Sequence, residues 1–264
     1  MIFKRKLPNF VFFYLKNNFH LVLILFFLNV HISTSQNPTQ DLGIHIGSSV
    51  IHTDYGEGNK SDVNRLSVSF THTLYFFGKT YRNKNFSNHL AFRSEINFVA
   101  KTALKHIGTY ASGDDELGNK LRAMTGSVKL TNISFQSEIY LKDLEKFYNY
   151  FYSSRLNPYI NIGIQFTLFK NTLNSTLGDW TVDSSVLPEK WRGPSDTSVG
   201  RGNAFSSTFG LGTRYKISNK MDLNAQLNWQ FLFSDDLDGL QSRSIENKEN
   251  DWITKFQLGI IFQL

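Results

Sequence analysis

The sequence predicts an all-β chain: one eight-stranded antiparallel transmembrane β-barrel of outer-membrane type, preceded by a cleaved signal peptide. Three observations predict it. Eight segments alternate apolar and polar residues with a period of two, the signature of strands. The polar positions are mostly Gly, Ser, Thr, Asn and Gln rather than Lys and Glu. A basic, acid-free leader with a short apolar stretch opens the chain.

The leader comes first. Residues 1–20 carry Lys4, Arg5, Lys6 and Lys16 and no acid, and Leu21–Ile32 is apolar. Ser33 and Ser35 then supply small residues for signal peptidase, with Gln36 as the new N-terminus. Spanning a membrane takes about 20 apolar residues, and Lys16-Asn17-Asn18 blocks any extension of this stretch. Residues 1–35 are therefore assigned as signal peptide and 36–264 as the barrel. Export also resolves the net charge of +6. Taking those four from the 28 basic residues leaves 24 against 22 acids, scattered along the chain. A nucleic-acid footprint would be clustered, so nucleic acid is excluded as a partner.

The strands follow in order. The first sets Leu42, Ile44, Ile46 and Val50 against Gly43, His45, Gly47 and Ser49. The second sets Leu66, Val68, Phe70, His72, Leu74 and Phe76 against Ser67, Ser69, Thr71 and Thr73; the third, Leu90, Phe92, Ser94, Ile96 and Phe98 against Arg93, Glu95 and Asn97. The fourth has Ile133, Phe135, Ile139 and Leu141 against Gln136, Glu138 and Tyr140; the fifth, Ile160 to Leu168 against Asn161, Gly163, Gln165 and Thr167. The sixth has Phe205, Phe209, Leu211, Tyr215 and Ile217 against Thr208, Gly210, Gly212 and Arg214. The seventh sets Leu223, Ala225, Leu227, Trp229 and Phe231 against Asn224, Gln226, Asn228 and Gln230, and the eighth sets Phe256, Leu258, Ile260, Phe262 and Leu264 against Lys255, Gln257, Gly259 and Gln263.

A soluble sandwich or lipocalin turns such an apolar face inward; an outer-membrane barrel turns it to lipid and packs the polar face inside. A polar face short of Lys and Glu lacks what a water-facing sheet uses to stay soluble and guard its edges. Glycines 43, 47, 163, 210, 212 and 259 suit the crowded inner wall of a narrow barrel. The links fall near 52–63, 77–87, 101–125, 142–157, 170–203, 218–220 and 234–250. Odd links average longer than even ones, as for extracellular loops alternating with periplasmic turns. The exception is 142–157, whose Phe147, Tyr148, Tyr150, Phe151, Tyr152 and Tyr159 suggest an interfacial aromatic girdle or a surface hairpin extension.

Chemistry is sparse. The absence of cysteine excludes disulfides, thiolate metal sites, a Cys nucleophile and a lipidated Cys. His72, on an apolar face, falls toward the periplasmic end, away from where a deacylase-like Ser–His pair is needed. His45, His52 and Asp54 suggest a metal site, but His45 and His52 are an odd number apart and face opposite sides of a strand, and no pair has the spacing of a structural zinc site. Asp114-Asp115-Glu116 and Asp235-Asp236-Leu237-Asp238 lack calcium-loop spacing and read as solvated loop acids. Gly210-Leu211-Gly212 lacks the rest of a dinucleotide loop. No catalytic residue, cofactor or metal ligand is assigned. The inward-facing charges Arg93, Glu95, Glu138, Arg214 and Lys255 predict a lumen charge network, because a buried charge must be paired. Arg93 and Glu95 are expected to meet Glu138 and a base from a neighbouring strand, as a static plug rather than a gate.

Several segments resemble a family of small flavobacterial outer-membrane barrels of unknown function: DLGIHIGSSVIHTDYGEGN (41–59), FRSEINF (92–98), LRAMTGS (121–127), NPYINIGI (157–164), RYKIS (214–218), LNWQFLFSDDLDGL (227–240) and NKENDW (247–252). The family is similar, more distantly, to PorG-like accessory barrels of type IX secretion. The resemblance implies a fold and a compartment, the Gram-negative outer membrane, and no catalytic residues.

The expected function is that of a non-enzymatic outer-membrane barrel with long extracellular loops. The alternatives are an accessory subunit of a secretion machine and a soluble lipocalin-like periplasmic binder. The expected partners are outer-membrane lipid and other envelope proteins. Mature protein is expected to begin at Gln36; N-terminal sequencing of the membrane-located protein checks this, and finding Met1 there contradicts it.

Overall fold

The structure, a computed structural model, describes residues 39–53, 55, 64–75, 84–149, 155–193, 196–240 and 250–264. The expected signal peptide lies outside them, as do Asp54, Tyr150, Phe151 and Tyr152. None of the described helices is long and apolar enough to cross a membrane.

Eight antiparallel strands close into one barrel in sequence order: β1 Thr39–His52, β2 Asn64–Tyr75, β3 Leu90–Lys105, β4 Met124–Tyr140, β5 Leu156–Ser175, β6 Gly200–Ser218, β7 Met221–Leu232 and β8 Trp252–Gln263. Pairing of β1 with β8, from Asp41↔Gln263 to His52↔Trp252, closes the sheet and leaves no free edge. Among the described residues, three short α-helices interrupt the links: α1 Lys84–Ser87, α2 Glu116–Ala123 and α3 Leu144–Asn149.

Side-chain direction obeys the period-two pattern, and the polarity is inside out. Ile44, Ile46, Phe92, Phe135, Ile162, Ile164, Phe209, Leu211, Phe256 and Leu258 are exposed on the outer wall. Their polar neighbours, among them His45, Ser69, Glu95, Asn161, Gln226 and Gln257, are buried. The inner wall is crowded. A Cβ at Gly212 would run into the Tyr159 ring, and one at Gly259 into the His45 ring.

At one end of the barrel the polarity reverses. Val128 and Leu130 of β4, Phe169 and Leu173 of β5, Ala204 of β6 and Leu104 of β3 point inward and are buried, while Lys129, Lys170 and Arg201 point outward and are exposed. This reversal explains two misplaced boundaries. The expected link 170–203 is in fact 176–199, because β5 and β6 continue past the apolar wall with their pattern inverted. The expected link 101–125 is 106–123, because a bulge between Val99 and Thr102 switches the parity of β3.

At that end, the described residues of the four links β1–β2, β3–β4, β5–β6 and β7–β8 form a cap. Its Tyr55, Leu121, Leu187, Trp191, Leu237 and Leu240 join the inward apolar residues in one buried cluster. The other end carries the described residues of the β2–β3 and β4–β5 links and the turn 219–220. Here the aromatic link departs from expectation as a girdle or surface hairpin. Phe147 of α3 is 2% exposed and Tyr159 3%, and Tyr148 packs against a second buried cluster of Tyr75, Ala91, Tyr140, Leu144 and Tyr159. The rings turn inward because cations lie beneath them, as described below.

Facing can be tested with neighbouring residues on β7. Leu227 sits on the outer wall opposite Leu211 and Phe256, so Leu227→Arg should destabilise the barrel in a bilayer by roughly 2–4 kcal/mol. Urea titration in lipid vesicles measures this. No cost there contradicts a lipid-facing wall.

Candidate functional site

Among the described residues, the polar lumen is the densest concentration of charged and hydrogen-bonding side chains. Each group comes from an inward position of a strand, so the sheet register sets their spacing.

Arg93 on β3 is the hub of the middle layer. Its guanidinium pairs with Glu138 on β4 at 2.7 Å and with Glu95 at 3.2 Å. It donates further hydrogen bonds to Gln136 at 2.9 Å and Gln226 at 2.8 Å. The carboxylates have other partners: Tyr140 donates to Glu138 at 2.7 Å and Ser69 to Glu95 at 2.9 Å. Toward the cap, the charges give way to an amide and hydroxyl ladder in which Asn132 bridges Asn97 and Thr167. Lys255 on β8 donates to Gln165 at 3.3 Å.

Arg214 belongs to a separate layer toward the short-link end. It pairs with Asp41 on β1 at 2.7 Å and with Asp222 on β7 at 2.5 Å, and donates to the Tyr75 hydroxyl. The Phe147 and Tyr148 rings lie 5.8 and 5.7 Å from its guanidinium carbon. Lys216, two residues along, has its Nζ 4.8 Å from the Phe147 ring centre and 3.8 Å from Asp222. A ring face attracts a cation most strongly where water is excluded, which accounts for α3 folding inward.

Arg93, Glu95 and Glu138 are thus brought together, while Arg214 and Lys255 lie apart from them with their own partners. Sequence reasoning missed Asp41, Lys216 and Asp222, all essentially unexposed. The signal was available, since each shares the parity of the polar face one step beyond the last residue assigned to it. With them the lumen contains Asp41, Glu95, Glu138 and Asp222 against Arg93, Arg214, Lys216 and Lys255. The charges balance.

The other candidates fall as follows. His45 faces the lumen, whereas His52 faces outward and stacks on Trp252 at 3.5 Å. Among the described residues no three His, Asp or Glu are grouped to hold a metal. His72 Nε2 lies 3.2 Å from the Gln40 Oε1 and donates to it in the tautomer that carries the proton on Nε2, and His72 stands opposite Ser94 in register. Asp115 caps α2 by accepting from the Gly118 N–H at 2.8 Å. Asp238, expected as a solvated loop acid, is buried instead and accepts from the Leu240 N–H. In the cap His106 stacks between Tyr55 and Trp191. Burial, assisted by Lys190, lowers its pKa to about 4.

Removing Arg214 would leave Asp41 and Asp222 buried without their main counter-charge. Arg214→Met should therefore cost roughly 3–5 kcal/mol, and the triple replacement of Arg214, Asp41 and Asp222 by apolar residues of similar volume should restore most of it. Urea titration of the folded barrel in detergent measures both; a near-neutral single variant contradicts the ion-pair assignment.

No protein family and no curated protein sequence matches this chain. Among solved structures it is similar to Ail, the attachment invasion locus protein of Yersinia pestis, with 10% identity, 86% of this chain and 99% of that one covered, and a TM-score of 0.44. It is similar to a major outer membrane protein from Thermus thermophilus, with 10% identity, coverage of 85% and 99%, and a TM-score of 0.47. Neisserial surface protein A is similar at 11% identity, with coverage of 85% and 97% and a TM-score of 0.42.

Proposed function

We propose that this chain is a non-enzymatic outer-membrane protein: a sealed barrel that holds a structured cap at the cell surface for contact with other molecules. The observation that carries this is the inside-out wall, with apolar side chains exposed around the outside and polar ones buried within. Such a wall is stable only where hydrocarbon replaces water. A lipocalin-like soluble binder requires the opposite polarity.

The sealed lumen favours a structural or interaction role over transport. An eight-stranded barrel has room for side chains but not for an open aqueous pore, and here a buried apolar cluster lies toward each end. Among the described residues, Arg93, Arg214 and Lys216 pair with the lumen carboxylates and Lys255 donates to Gln165. The cap end is the natural outer face, because outer-membrane barrels carry their longer links there. The leader 1–35 would provide export and be removed.

A second reading, an accessory subunit of a secretion or assembly machine of the type IX kind, is favoured by apolar groups exposed on the cap. Tyr110 is 69% exposed and Val182 85%, beyond the reach of the lipid wall. Crosslinking in membranes followed by mass spectrometry would separate it from a barrel acting alone.

Topology can be checked on intact cells. Protease added outside should cut within 176–199, where Leu177 and Val182 are exposed, and leave the turn 219–220 untouched. Cleavage that requires opening the outer membrane reverses the assignment.

A further inference from the structure

The outer wall changes character at the level where its polarity reverses, and it does so differently on its two sides. On one side, Phe231 of β7, Trp252 of β8 and His52 of β1 are consecutive register partners. His52 and Trp252 stack, and the Phe231 and Trp252 ring centres are 6.5 Å apart. Aromatic rings of this kind favour the membrane–water interface.

On the other side the corresponding level is basic. Lys129 of β4 pairs in register with Lys170 of β5, which pairs with Arg201 of β6. Lys101 sits in the β3 bulge opposite Lys129. All four are exposed on the outer face. Directly opposed side chains on neighbouring antiparallel strands are about 5 Å apart at Cβ, and like charges so placed repel. Among the described residues, none of the four forms an ion pair with a carboxylate. The barrel therefore holds a row of cations in a geometry that costs stability unless an anion lies across it.

Position indicates what the anion is attached to. The rung toward the apolar wall is Thr131, Leu168 and Asn203, and the next is Ile133, Phe166 and Phe205. Two rungs separate the cations from fully apolar wall, roughly 13 Å along a strand at about 3.3 Å per residue, less when projected along the tilted barrel axis. Long Lys and Arg stems cover part of that distance and let their charges lean toward the headgroup level. Beyond the cations come Ser127 and Thr172, whose hydroxyls bond each other at 2.7 Å.

We propose that Lys101, Lys129, Lys170 and Arg201 form a seat for the phosphate groups of a phosphorylated lipid in the leaflet at the cap end. The barrel then gathers anionic lipid along β3 to β6 while its aromatic side faces neutral interface. The proposal rests on the membrane reading above and adds a lipid partner and a side to it.

The test uses mature protein folded into phosphatidylcholine bilayers containing spin-labelled phosphatidic acid or spin-labelled phosphatidylcholine, with the immobilised fraction of each label read directly. Wild type should prefer phosphatidic acid by roughly fivefold or more, the order that a few cations near an anionic surface provide, and the preference should weaken with salt. The variant Lys129→Gln/Lys170→Gln/Arg201→Gln should lose the preference and be at least as stable as wild type in neutral bilayers, because its mutual repulsion is gone. The variant Lys142→Gln/Lys146→Gln, at the opposite end, should retain the preference. An unchanged preference in the triple variant overturns the proposal, as does equal competition by inorganic phosphate, which would make the row a seat for a free anion. Failure of wild type to insert into neutral bilayers overturns the membrane reading first and this proposal with it.

Discussion

The constraint on which this structure depends is that its polar groups must be satisfied without water. Backbone N–H and C=O groups achieve this through the closed ladder, in which β8 returns to pair with β1. Side chains that point inward find partners in the lumen, although among the described residues some buried polar atoms, such as Gln165 Nε2 and Gln230 Oε1, have none. Arg93 illustrates the demand. A guanidinium in the middle of the barrel is tolerable only because two carboxylates and two amides converge on it. The same demand suits the buried apolar clusters toward both ends, since water there would compete for those bonds.

The ion pairs contribute more to specificity than to stability. Buried salt bridges roughly offset their own desolvation and are often replaceable by apolar residues of the same shape. What the lumen network does firmly is fix register. A one-residue slip of β3 would turn Arg93 and Glu95 to the outside and bring Phe92 and Ser94 within, reversing every side chain of that strand at once. The glycines act in the same direction by a different route. Gly212 beside Tyr159 and Gly259 beside His45 admit those rings only in the observed alignment.

The eight strands and their facing were legible because, within the wall, each position answers to a single demand: apolar outside, polar or small inside. Legibility failed where the demand changed. Past Leu168 the environment on both faces of β5 reverses, so Phe169, Leu173 and Lys170 continue the strand in a pattern that resembles an irregular loop. The β3 bulge had a similar effect by shifting parity after Val99. Of the lumen site, Arg93, Glu95 and Glu138 could be grouped from parity alone, whereas the distinct layer around Arg214 could not, because pairing across a barrel depends on which strands stand opposite. The inward turn of Phe147 was hidden for another reason: a short helix in a link carries no periodicity long enough to show which way its rings point.

The two faces of the wall also differ in how freely their residues can be exchanged. On the outside, Phe209 or Leu258 meets fluid hydrocarbon, which accommodates Leu, Ile, Val or Phe with little preference of shape. On the inside, Gln226 accepts from Arg93 and from Tyr159 and donates to Gln257, so altering it disturbs three other strands. Over evolutionary time the exterior can drift residue by residue, while the interior can change only through coordinated replacements. Ancestry in a barrel of this kind would thus be recorded chiefly in every second residue.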